Sequence, residues 1–384
     1  MNPLYAQLPT TIFTRMSALA AEHHAVNLGQ GFPDFGWPDD IVAKAAEALS
    51  GSNQYAPMPG VPALREAVAA HYGRWQGLDV SPDEVTVTSG ATEAVAAGLF
   101  ALIEPGDEVL LFQPLYDAYL PLVLRAGGVP RFVRLAPPDW RITAEALAEA
   151  FTERTRLVVF NNPHNPSARV FTRTELSLLA DACIAHGAVA LSDEVWEHVV
   201  FDGAAHVPLS SLPGMAERTV KIGSAGKIFS LTGWKVGWVV APPALGEPIR
   251  KAHQFLTFAT PPNLQAAVAY GLEKEEEYFR AMRDAFAAAR DYLADGLERA
   301  GYAVLPAEGT YFLSIDLAAS GVPVGDLDFC ERAVRDAGVA AIPVSSFYAE
   351  APVTSVVRLC FAKQRETLDA GIERLGAAKR LFAR

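Results

Sequence analysis

The chain has 384 residues, 51% of them hydrophobic and 20% charged, with 32 basic against 44 acidic side chains for a net charge of −12. That length exceeds what one hydrophobic core usually organises, so two packed domains are expected, and the composition excludes a disordered chain. The acidic balance, with no run of Lys and Arg to follow a phosphate backbone, excludes a nucleic-acid partner, and no apolar run approaches the roughly 20 residues needed to cross a membrane.

In chain order, the N-terminal Met1 to Met16 lacks a basic start followed by an apolar stretch, which reads as a cytoplasmic chain without an export signal. The GQGFPDFG stretch at Gly29 to Gly36 has glycines at spacings unlike a dinucleotide fingerprint, and no acidic partner follows it on a βαβ unit. From Val85 to Ala241, short β-rich runs alternate with helical patterns, which predicts βαβ units around a mainly parallel sheet. The expected strands are Val85–Thr88, Glu108–Phe112, Val129–Leu135, Leu157–Phe160, Ala188–Leu191, Thr219–Ile222 and Val236–Val240. The last two are joined by about a dozen residues with three glycines and no helical period, so they are expected to run antiparallel. An Ala-rich amphipathic stretch from Asn263 to about Ala300 predicts one long connecting helix. Beyond it, strands at Tyr311–Asp316, Ala340–Val344 and Val356–Phe361 and a final helix from Glu366 make a smaller α/β unit.

The scattered Cys183, Cys330 and Cys360 suit reduced core thiols, and no histidine pair has the helix spacing of a metalloprotease, so no metal is expected. Chemistry concentrates in a few segments. KIGSAGKIFSLTGWKVGW puts Ser224, Lys227 and Lys235 in one glycine-rich stretch between two strands. There backbone amides, a hydroxyl and one lysine can hold an anion while the other lysine stays free to react. LSDEVWEHVVF places Asp193 at a strand end, as a helix cap, a metal ligand or the counter-charge of a protonated ring nitrogen. FNNPHNPSARV holds Asn165 between prolines, either as a rigid turn or as a fixed donor, and VTSGATE runs from a strand into a helix with the amides of Ala91 and Thr92 free.

Taken together and in this order, the segments resemble the class I aminotransferases of the fold-type-I pyridoxal-phosphate enzymes. The likeness runs over nearly the whole chain: its signature is similar to Ser224, Lys227, Gly233 and Lys235, and Asn165, Asp193 and the lone arginine of VVRLCF agree with it independently. It implies an α/β fold with a mainly parallel seven-stranded sheet and a smaller α/β domain. Residues 1–40 are then an N-terminal arm and part of the small domain, 41–275 the large cofactor-binding domain and 276–384 the small C-terminal domain. Pyridoxal 5'-phosphate would sit as a Schiff base on Lys227, with Asp193 on its ring nitrogen and Asn165 on its ring hydroxyl. Ala91, Thr92, Ser224 and Lys235 would hold its phosphate, and Tyr116 in QPLYDAY would stack on the ring. Arg358 and Gly31 look like the residues that bind the substrate α-carboxylate, a planar bidentate task that suits a guanidinium. Tyr55 in NQYAP resembles a tyrosine that reaches the neighbouring subunit's phosphate, and Phe258 an aromatic entering the partner's pocket, which together imply a homodimer.

Two positions depart from the family pattern. Trp196 stands where relatives have tyrosine, and its indole can donate but neither accept nor ionise. Ala168 stands where glycine is common, which predicts an altered turn. Stretches such as TTIFTRMSALA, NLGQGFPDF and AIPVSSFY most resemble the methionine and kynurenine aminotransferases and glutamine transaminase K, and N-succinyldiaminopimelate aminotransferases share many of them. A pocket of Phe13, Tyr116 and Phe258 would favour sulfur-containing or aromatic side chains. The resemblance therefore implies two-stage transfer of an amino group from such an amino acid to a 2-oxo acid, with β-elimination of a cysteine conjugate as the competing reaction on this scaffold.

Overall fold

The computed structural model describes residues 2–35 and 37–382; Gly36, which closes the GQGFPDFG stretch, lies outside them. Each of the seven expected segments of the large sheet is a strand: β1 (Val85–Ser89), β2 (Glu108–Gln113), β3 (Val129–Arg134), β4 (Thr155–Asn161), β5 (Val189–Asp193), β6 (Thr219–Ser224) and β7 (Val236–Val240). They lie in the order β1-β7-β6-β5-β4-β2-β3. The ladders from β6 to β3 are parallel, while β7 pairs antiparallel with both β6 and β1, as the short β6–β7 connection predicts. Helices cover both faces, so β2 and β6 are buried along their whole length; the edge strand β3 is only partly buried.

A second sheet is antiparallel throughout and contains β8 (Ala303–Val304), β9 (Phe312–Asp316), β10 (Ile342–Pro343) and β11 (Val356–Cys360), in the order β10-β11-β9-β8. The strand expected over Ala340–Val344 is divided instead. Val339–Ala340 pairs in parallel with Val26–Asn27, whereas Ile342–Pro343 joins β11 and the chain then turns through a 3-10 helix over Val344–Phe347. A proline has no N–H with which to prolong a ladder.

The single helix expected from Asn263 to Ala300 is two, Pro262–Leu272 and Glu276–Arg299. Carbonyl groups at the break are taken by side chains from elsewhere: that of Leu272 by His71 and Arg74, and that of Lys274 by Arg74 at 2.6 Å. The first helix buries Ala267, Val268 and Leu272 among Val87, Trp238 and Phe279; the second buries Leu293 and Leu297 against the second sheet's side of the core. No helix among the described residues is long and apolar enough to cross a membrane.

Candidate active site

Side chains at the carboxyl ends of parallel strands face a common crevice, and here β4, β5 and β6 end at Asn161, Asp193 and Ser224. The ladder sets Asn161 directly opposite Asp193. A cavity of about 380 Å³ opens above them, between the two sheets. Twelve of the residues singled out from the sequence line it: Phe13, Gly31, Ala91, Thr92, Tyr116, Asn165, Asp193, Trp196, Ser224, Lys227, Lys235 and Arg358. Tyr55 and Phe258 do not. Tyr55 is 87% exposed, and its ring packs edge-on against Phe258 at 5.5 Å on the outer surface.

One end of the cavity is shaped for an anion. β1 passes straight into the helix Gly90–Leu102 and no side chain caps its start, so the first amides remain free. Gly90 is needed twice over: its φ is +73°, and a Cβ there would lie 3.2 Å from the Lys235 ammonium. Lys235 reaches that position from a left-handed backbone, φ 54°. A Cβ at Gly237 would come within 2.8 Å of the Ala91 nitrogen, so β7 also needs a glycine where it passes beneath the turn.

At the other side of the floor, Asp193 accepts from Tyr119 Oη at 2.6 Å and from the Val195 N–H at 3.3 Å. No cation among the described residues forms a salt bridge with it. Burial therefore pushes its carboxyl up from the ordinary value, against the opposing pull of Tyr119. Asn161 donates to the Asp193 carbonyl at 2.8 Å and accepts from the Asn165 N–H at 2.7 Å, tying the two loops together.

Lys227 lies on the short helix Ala225–Ile228 that follows β6. Its Nζ donates to Tyr311 Oη at 3.1 Å and sits 4.8 Å from the Trp196 ring centre. Desolvation lowers its amine to about 8. Arg358, on β11, is 1% exposed. It donates to Asn165 Oδ1 at 2.8 Å and to the Gly29 carbonyl at 3.2 Å, its Nε is unpartnered, and Phe312 stacks over it at 3.9 Å. No carboxylate among the described residues pairs with it, an arrangement that suits an incoming anion.

Ala168 adopts φ 60° while fully buried, and its carbonyl accepts from both the Glu308 and Gly309 N–H groups, so the altered turn is a joint with the second sheet. The sequence reading did not single out Tyr119, Asn161 or Tyr311. Tyr119 stands three residues beyond Tyr116 and Asn161 four before Asn165, so the signal was present in segments already marked. Tyr311 reads as core, and only the tertiary fold sets it beside Lys227.

The family model for aminotransferase class I and II matches residues 23–375. The chain is 44% identical over 381 residues to methionine aminotransferase of Escherichia coli (strain K12), covering 97% of this chain and 98% of that one. It is 38% identical over 405 residues to kynurenine–oxoglutarate transaminase 1 of Rattus norvegicus, covering 96% of each. The solved structure of N-succinyldiaminopimelate aminotransferase from Mycobacterium tuberculosis superposes with a TM-score of 0.95 at 44% identity, over 98% of this chain and 100% of that one. With family, fold and cavity in agreement, the chain belongs to the class I and II aminotransferases, the pyridoxal-phosphate-dependent transaminases.

Proposed function

We propose that this aminotransferase moves the amino group of an L-amino acid with an uncharged side chain, the sulfur-containing methionine, the aromatic kynurenine or the amide glutamine being the candidates, to a 2-oxo acid. The observation that carries the proposal is the charge inventory of the cavity: among the described residues its cations are Lys227, Lys235 and Arg358. Each has a task. Lys235, Ser224 and the amides of Ala91 and Thr92 form a donor set for the cofactor phosphate, and Gly90 leaves the room it needs. The buried Asp193 carboxyl, which burial favours in its protonated form, can give a proton to the ring nitrogen and then serve as its counter-charge. Tyr116 would stack on the ring, and Asn165 would contact its hydroxyl. Bound pyridoxal phosphate supplies the electron sink that acidifies the substrate α-carbon.

Arg358, with Gly31 beside it, would grip the α-carboxylate by two parallel hydrogen bonds. Lys227 would hold the cofactor and, once displaced by substrate, take and return the α-carbon proton; its amine, lowered to about 8, is a base near neutral pH. The remaining walls include Phe13, Phe32, Tyr116 and Phe312. With no cation left for a side-chain carboxylate, the lining favours an uncharged side chain over succinyldiaminopimelate. The exposed Tyr55, Phe255 and Phe258 support a homodimer in which Tyr55 and Phe258 serve the partner's cavity. Three buried cysteines, all free thiols, support a cytoplasmic location.

The visible spectrum tests this reading. A yellow protein should be bleached by L-methionine or kynurenine and recoloured by a 2-oxo acid, and Lys227→Ala should abolish both changes. Bleaching by N-succinyldiaminopimelate alone would overturn the substrate class. Release of pyruvate from a cysteine conjugate, without recolouring by the oxo acid, would identify elimination as the reaction.

A further inference from the structure

Lys227 makes one side-chain hydrogen bond among the described residues, and its partner is Tyr311. That hydroxyl is already committed: it donates its only proton to the Gly31 carbonyl, so towards Lys227 it can act only as an acceptor. Tyr311 is 0% exposed and does not line the cavity. Its ring is held edge-on against Trp196 at 4.3 Å. Its backbone is anchored as firmly. The preceding Thr310 donates its N–H to the Val199 carbonyl at 2.9 Å, and Gly309 fits so closely that a Cβ would meet Pro163, Val170 and Val199 within 3.0 Å. Trp196 cannot substitute for the hydroxyl, because an indole N–H accepts nothing from an amine.

We propose that Tyr311 is a positioning residue for transamination, whose hydroxyl, fixed as an acceptor by Gly31, anchors one N–H of Lys227 and so sets the direction of the amine's lone pair. A neutral amine has two N–H groups and one lone pair, and tying down one N–H restricts where the lone pair can point. The same hydroxyl ties the lysine to the Gly31 carbonyl, two residues beyond the Gly29 carbonyl that accepts from Arg358. The inference rests on Lys227 being the reactive amine.

The test compares wild type, Tyr311→Phe, Lys227→Ala and the double variant. Cofactor-free Tyr311→Phe should regain its visible absorption on addition of pyridoxal phosphate with a pH dependence shifted to lower pH, because the lost acceptor had favoured the ammonium form. In turnover its kcat should fall roughly tenfold to hundredfold, with the amino-donor KM changed less than about threefold. Lys227→Ala rescued by an added alkylamine should be indifferent to Tyr311→Phe within about twofold, since the hydroxyl acts only through the missing lysine. An unshifted pH profile, or an equal loss in the amine-rescued background, would overturn the proposal. Full activity in Lys227→Ala would instead remove the reading of the lysine on which it rests. Should Tyr311→Phe fail to fold, 3-fluorotyrosine at position 311 keeps the ring and both hydrogen bonds but weakens the acceptor, and the same downward pH shift is required of it.

Discussion

A buried guanidinium without a carboxylate is costly, and Arg358 carries that cost among three aromatic rings, Phe13, Phe312 and Phe347. Burial lowers it to about 10, so it remains charged at neutral pH. Its two bonded nitrogens are taken by neutral oxygens of Asn165 and Gly29, which orient the group without neutralising it. Arg358→Lys keeps the charge but loses the planar fork, so kcat/KM for the amino donor should fall roughly tenfold to hundredfold, chiefly through KM. Steady-state kinetics with L-methionine checks this; an unchanged KM would mean that the α-carboxylate binds elsewhere. Asp193 and Lys227 were legible in the sequence because their segments, taken in order with Asn165 and Arg358, match one family pattern, whereas alone each has an ordinary structural use. Tyr119 was not, because nothing in QPLYDAY tells which of its tyrosines turns towards β5.

At the scale of elements, the packing of β6 against β7 is the tightest point of the large sheet. Gly223 on β6 faces the Tyr72–Trp238 hydrogen bond of 2.8 Å, and a Cβ there would lie 2.3 Å from the Trp238 nitrogen and 2.5 Å from the Tyr72 hydroxyl. Gly223→Ala should therefore destabilise the protein by about 2 kcal/mol through overpacking. Urea unfolding would measure it, and a loss within about 0.5 kcal/mol would show that the pair can move aside. The inner strands of this sheet were readable because runs buried on both faces are largely apolar, and the edge strands because β-branched residues recur in them. The break in the 263–300 helical run was not: its periodicity continues through Glu273, and the interruption is imposed by Arg74 and His71, about 200 residues away in sequence.

Across the whole molecule, a buried polar network couples stability to pH. His71 and His198 share a 2.7 Å nitrogen–nitrogen hydrogen bond, which requires one of them to be neutral and acting as acceptor. Burial lowers His71 to about 4 and drives His198 well below its ordinary value of 6.5. The nearby Glu197 pulls His71 up, while Arg74 and Lys221 push it down. An unfolded chain takes up protons on both histidines near 6.5 and the folded chain does not. Stability is therefore complete above that value and falls as the pH drops from 6.5 towards 4. Glu194, held at about 2 by Lys221 and His206 against its burial, adds a second loss as the pH falls through 4.5 towards 2. Urea midpoints should decline between neutral pH and about pH 5, and His198→Gln should flatten that decline; a flat wild-type profile would refute the account. Glu194, Glu197 and His206 are close enough together to suggest a metal site, but the Lys221 ammonium bonds both carboxylates and already supplies the positive charge.

By itself the sequence determined the α/β class, the strands of the large sheet and half of the residues that line the cavity, and its likeness to the aminotransferases implied the cofactor. These are set by local patterning and by short motifs whose chemistry travels with their spacing. The tertiary structure alone decided how the second sheet closes over the first, which carries Arg358 across to Asn165 and Tyr311 to Lys227. Those contacts join residues 193 and 84 positions apart, and no local pattern encodes which distant side chain a strand end will meet.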